Sequence, residues 1–210
     1  TSGQGRSFFQ QTFEGLPLGY RGSGFVTSDQ PFTGLLARDV LRSDGSYQIA
    51  GDSLRLGSPV AEYFLPIVVN NADHVSRIVI ENTSDRKDAC VEILYYADGA
   101  LSPGIADPAA PGGGCPQGGT RLAPRATLLR DELTIGAPFG FDGSARVHTF
   151  ATGSGVAASA QQLAVMVDTR ARRAAGLSTY RGIGSDEVSQ VALLPLVNRR
   201  SEEHTSELQS

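Results

Sequence analysis

Residues 64–70 read Phe64-Leu65-Pro66-Ile67-Val68-Val69-Asn70, and residues 193–198 read Leu193-Leu194-Pro195-Leu196-Val197-Asn198. A short apolar run with a proline near its start reads as a β-strand. The proline is expected at the first position or on a sheet edge, where a missing N–H costs no ladder bond. The run occurs twice, so the chain is expected to carry a repeat. The match continues upstream of each copy: Gly15-Leu16-Pro17-Leu18-Gly19-Tyr20-Arg21-Gly22-Ser23 aligns without a gap on Gly136-Ala137-Pro138-Phe139-Gly140-Phe141-Asp142-Gly143-Ser144. Gly24-Phe25-Val26-Thr27 then corresponds to Ala145-Arg146-Val147-His148-Thr149, Leu35–Asp39 to Ala164–Asp168, and Ser46-Tyr47 to Thr179-Tyr180. Insertions fall in Gly/Ser segments such as 153–155, where loops tolerate changes of length.

On this reading residues 1–57 are the C-terminal half of a truncated β-sandwich repeat, and 58–199 are one complete repeat. The front half occurs once. Ser76-Arg77-Ile78-Val79-Ile80-Glu81-Asn82 alternates apolar and polar after Val75, the period of a half-buried strand. Asn82-Thr83-Ser84-Asp85 is turn chemistry, and Cys90 to Tyr96 is the next strand, closed by a hairpin-type Ala97-Asp98-Gly99. Residues 101–119 hold four prolines and six glycines and read as loop throughout. Arg121 to Leu129 reads as one more strand with Pro124 at a turn or edge. Val156 to Met166 is alanine-rich enough for a helix, but its shorter echo at Thr33 to Ala37 favours a loop leading into a strand. Seven or eight short strands without crossover helices predict an all-β fold, an antiparallel two-sheet sandwich. Half of such a sandwich buries too little surface to be robust, so 1–57 is expected to be less stable than 58–199 unless it docks on the full repeat.

With 40% hydrophobic and 19% charged residues, the composition fits a folded chain with a sparingly charged surface. A net charge of −4 offers no clustered basic face for nucleic acid. The basic residues are nearly all arginine, with Lys87 the sole lysine, which reads as G+C-rich coding. No run reaches the roughly 18–20 apolar residues that span a bilayer. Cys90 opens a strand and Cys115 sits in the Gly/Pro loop; a disulfide between them is the favoured reading, two separate thiols the alternative. Residues 200–210, RSEEHTSELQS, match one translated frame of a short-read sequencing adapter and are expected to be a disordered, artefactual tail.

Several motifs occur in a fixed order: a Leu-Pro-[Ile/Leu]-Val strand, the Asn-Thr-Ser turn, Tyr95-Tyr96 ahead of Asp98-Gly99, and Gly-x-Pro-x-Gly-[Tyr/Phe]-x-Gly-Ser. Tyr180-Arg181-Gly182 then precedes the second Leu-Pro-Leu-Val. Over about residues 15–199 the chain resembles the tandem immunoglobulin-like β-sandwich repeats of large secreted or surface-attached bacterial proteins. The resemblance implies an extracellular or cell-surface, non-catalytic structural or adhesive module. Its partners would be neighbouring repeats of the same chain, with surface glycans or other proteins beyond them, and neither nucleic acid nor an inserted membrane segment. A carbohydrate-binding accessory module of a secreted hydrolase is the alternative. The repeat-defining structural positions are Gly19, Gly22, Pro66, Gly140, Gly143 and Pro195.

Candidate chemistry is sparse. Gly153-Ser154-Gly155 lacks the frame of a nucleophile elbow and reads as a flexible turn. His74 and His148 read as surface or loop histidines, far from any metal-ligand spacing. Asp85/Asp88 and Asp131/Glu132 read as turn carboxylates, and Asp39/Asp168 as a repeated structural turn at a strand end. Phe139 and Phe141 are expected in the core, with Tyr95 and Tyr96 on opposite faces of one strand. The repeated glycines read as tight turns in place of a phosphate loop. No catalytic residue, cofactor or metal is expected.

Overall fold

The computed structural model describes residues 35–41, 47–53, 59–97, 104–108, 115, 119–150, 161–173 and 176–188, together with Gly15, Val26, Asp29 and Gly45. Among them there is no helix, and the chain is all-β. The strands are β1 (Leu35–Leu41), β2 (Tyr47–Ser53), β3 (Glu62–Asn70), β4 (His74–Asn82), β5 (Ala89–Ala97) and β6 (Ile105–Ala106), followed by β7 (Thr120–Leu122), β8 (Thr127–Arg130), β9 (Phe141–Phe150), β10 (Leu163–Ala171), β11 (Leu177–Arg181) and β12 (Ile183–Gly184). Every pairing is antiparallel. β1 and β2 form their own ladder, and the remaining ten strands run in the order β11-β10-β4-β3-β9-β5-β6, with β12 on β3, β7 on β5 and β8 on β4. Among ladders between named strands, β11, β10, β4 and β8 join the others through one residue pair, Asn70↔Val75 at the β3–β4 turn.

Alternation decides which residues fill the core. On β5 the odd positions Ala89, Val91, Ile93 and Tyr95 are buried, and on β9 the odd positions Phe141, Ala145, Val147 and Thr149. Ile78 and Ile80 of β4 and Leu163, Val165 and Val167 of β10 join the same cluster as Tyr63, Leu65 and Val68 of β3. One apolar core is therefore shared by strands from both sides of the Asn70↔Val75 connection.

Pro66 corrects the strand reading. It stands inside β3, neither at its start nor in a regular edge position, where the pairing with β9 slips between Leu65 and Val68. Tyr63 and Leu65 face the core before the slip, Val68 and Asn70 after it, and Pro66 and Ile67 are left exposed. A β-bulge of this kind tolerates a residue without an N–H. It also leaves Ile67 outside the ladder, and the Tyr180 hydroxyl serves both its backbone groups, donating to the carbonyl at 2.5 Å and lying 3.4 Å from the N–H. Burial raises the Tyr180 pKa to about 12, so the phenol keeps the proton it donates.

Further expectations change in detail. The Gly/Pro segment is not loop throughout, because Ile105–Ala106 pairs with Tyr95 and Leu94 of β5. Arg121 to Leu129 is two strands, β7 and β8, divided by the turn at Pro124-Arg125. Ten strands, not seven or eight, lie within the described part of residues 58–199. The Asn82 turn forms as expected, with the Asn82 side chain accepting the Ser84 N–H and the Ser84 hydroxyl accepting those of Arg86 and Lys87. In the proposed repeat, β1 and β2 fall where β10 and β11 fall, each pair a hairpin, but Tyr47 stands opposite Leu41 and Tyr180 opposite Val167. Gly19, Gly22, Pro195, most of 1–57 and all of 200–210 lie outside the described residues.

Candidate functional site

The chain enters and leaves the ten-strand sheet at one end. Val60 bridges to Leu163, and Ser185 donates from its N–H to the carbonyl of Glu62 beside it. At the opposite end three turns meet: 71–73 after β3, 131–140 between β8 and β9, and the one that begins at 172–173 after β10.

The first two turns are held locally by short polar side chains, the usual work of Asn, Asp and Thr. Asn71 Oδ1 accepts the N–H groups of Asp73 and His74. Asp131 Oδ1 accepts the Leu133 N–H and the Thr134 hydroxyl, while Thr134 Oγ1 accepts the Asp131 N–H. Gly140 takes φ +90°, a conformation open chiefly to glycine, and donates to the Asn70 carbonyl at 2.7 Å. Three residues later Gly143 lets β9 close on β5, since a Cβ there would stand 2.1 Å from the Tyr96 carbonyl oxygen.

Two side chains then join the turns to one another. Buried Asn70 donates from Nδ2 to the Ala137 carbonyl at 2.7 Å and accepts from Arg172 Nη2 at 2.9 Å. Arg172 also donates through Nε to the Asn71 carbonyl and through its backbone N–H to the Asp73 carbonyl, each at 2.7 Å. Its Nη1 reaches Glu132 at 2.5 Å, and Arg170 reaches the other carboxylate oxygen of Glu132 at 2.6 Å. The bonds from Arg170 and Arg172 hold the Glu132 carboxyl below its ordinary pKa.

On this framework Leu133 and Phe139 stand in solvent, 91% and 73% exposed. Phe139 is thus no core residue; Phe141, two positions on, takes the inward place and packs edge-on against Tyr95. The Arg172 guanidinium lies 6.0 Å from the Phe139 ring centroid, within cation–π range. The tip presents large apolar side chains on turns that have little freedom left to lose.

The other charged groups fasten strands. Asp168 is no strand-end turn: it lies within β10, buried, paired with Arg77 across β4 and accepting the Thr179 hydroxyl of β11. Asp107 accepts from Arg130 Nε at 2.7 Å, from the Tyr95 hydroxyl at 3.0 Å and from the Gly136 N–H at 3.1 Å. Burial, with the adjacent Asp107, raises the Tyr95 pKa well above that of a free phenol. Cys90 and Cys115 form a disulfide that ties the Gly/Pro segment to β5.

His148 is a half-buried strand residue, not a loop one, set in register between Glu62 of β3 and Glu92 of β5. Its Nε2 lies 3.3 Å from Glu92, and its buried Nδ1 finds no hydrogen-bond partner among the described residues. Burial holds its pKa below the ordinary histidine value, with Arg146 adding to that and the two glutamates opposing it. Glu62 itself is bonded to Arg146. His74 is exposed at the tip. Among the described residues no three His, Cys, Asp or Glu side chains gather closely enough to hold a metal.

Compared with known protein families, curated proteins and solved structures, the chain matches none. Of the residues that build the tip, Asn70 had a signal in the sequence, because the second copy of its strand also ends in asparagine, Asn198. Arg172, and the Asp107 and Arg130 pair below it, carried none: their partners lie 10 to 102 positions away.

Proposed function

We propose that this chain is a non-catalytic structural or adhesive repeat module of a secreted or cell-surface bacterial protein, folded as an immunoglobulin-like sandwich and preceded by a partial copy of itself. The observation that carries the reading is the tip. Turns bonded to one another hold Leu133 and Phe139 in solvent, at the end away from chain entry and exit. In a string of modules such tips stay free, and an anchor side chain held in place loses little entropy on contact. The sandwich is supported by β12 pairing with β3 directly after β11, and by Tyr180 of β11 bonding the bulge of β3. The disulfide fits an oxidising compartment.

The parent reading frame tests this. Further copies of the Gly-x-Pro-x-Gly and Leu-Pro motifs on either side are expected. A single copy beside a hydrolase domain would contradict the reading and favour a carbohydrate-binding accessory module. Exposed Phe139 is the feature that keeps this second reading in view. A glycan array on the whole chain separates the two, since the accessory-module reading requires glycan binding that Phe139→Ala abolishes.

A further inference from the structure

β11 ends the ten-strand order, and its only ladder there is with β10. The hairpin of β1 and β2 comes close to it, β2 lying near β11 without sharing a ladder with it. An edge strand presents unpaired backbone groups and is commonly covered by another element. Here the neighbouring element is, by sequence, the equivalent strand. Leu35–Asp39 of β1 aligns with Ala164–Asp168 of β10, and Tyr47 of β2 with Tyr180 of β11. Read across the seam, the order β1, β2, β11, β10 places like against like.

A contact in which both partners use the same edge is isologous, and it closes on itself because each edge is consumed by the other. We propose that the Leu177–Arg181 edge is a self-recognition edge that takes the equivalent strand of another copy of the repeat, so that copies join side by side in closed pairs. The inference rests on the repeat reading above and adds the surface and the partner, a second copy of the same hairpin. The edge suits that partner. Leu177-Ser178-Thr179-Tyr180-Arg181 holds one charged residue and no proline or lysine, the residues that commonly block strand addition. Ser178 is exposed, so the outer side is not closed by the core. A string built this way consists of paired copies, and its repeat number in the parent is even or leaves one edge open.

The test uses the whole chain. Ile49→Pro removes a donor in the middle of β2, where Ile49 faces Asp39, and opens the β1–β2 ladder. The expected result is amide exchange at Leu177–Arg181 faster by about tenfold or more, with β4 and β5 unchanged. Sedimentation is expected to show a concentration-dependent dimer as two vacated edges meet. Unchanged exchange in β11 would overturn the proposal, because the hairpin would then not cover that edge. Faster exchange in a strict monomer would overturn it too, since the bared edge would not recognise its like. Should the proline also speed exchange in β4, paired spin labels at Gly51→Cys and Ser178→Cys in the otherwise native chain decide instead. A separation of neighbouring strands supports the seam, and one of several strand spacings rejects it. Copy number in the parent frame tests the repeat reading separately, so either idea can fail alone.

Discussion

Arg130 and Asp107 have side chains only 9% and 5% exposed, so each is the other's main compensation for leaving water. Removing one partner of such a pair leaves a buried uncompensated charge, which costs about 3–5 kcal/mol. Arg130→Met is expected to destabilise the chain by that amount in urea unfolding, and a loss below about 1 kcal/mol would show that Asp107 finds other compensation. Tyr180→Phe is a milder change. It strips the hydroxyl from the Ile67 bulge and should cost about 1–2 kcal/mol, read by the same unfolding curve. His148 sets a pH dependence whose sign follows from burial. Its folded pKa lies below 6.5, so as pH falls through 6.5 the unfolded chain takes up a proton that the fold refuses. Stability is expected to decline from that point downward until the folded imidazole is itself protonated. His148→Phe should flatten this limb; an unchanged slope would remove His148 as its source.

At the scale of elements, the disulfide ties the Gly/Pro segment to β5. Cys90 and Cys115 are 25 positions apart, and in the chain-entropy model closing such a loop contributes about 3 kcal/mol. Reductant, or Cys90→Ala with Cys115→Ala, is expected to lower the unfolding free energy by that order, and an unchanged melting temperature would reject it. Much of the strand pattern was legible in the sequence, because β5 and β9 alternate over most of their length and each ends at turn chemistry. The β3 bulge was not. Leu65-Pro66-Ile67-Val68 is apolar throughout, so the switch from odd to even core positions leaves no mark on composition. Phe139 misled for a related reason: an aromatic in a glycine-bounded motif suggests core, yet the Gly140 turn delivers Phe141 inward in its place. The stretch of β10 that aligns with its echo stops at Asp168, which suggests a strand end; β10 continues to Ala171, which puts Asp168 among Arg77 and Thr179.

Over the whole molecule, the chain order brings three distant turns to one end and both chain connections to the other. Asn70 and Arg172 achieve this across more than a hundred positions, a relation that local patterns cannot express. What the sequence offers at this scale is the doubled motif, and the account depends on its being a doubled structure. Nuclear Overhauser contacts across the backbone of the whole chain, compared between residues 15–53 and 136–181, test that most directly. One order is expected in both stretches: a turn with positive φ at Gly19 as at Gly140, a strand after it, then the hairpin. A helix, or a different order of strands and turns, over residues 15–34 would contradict it.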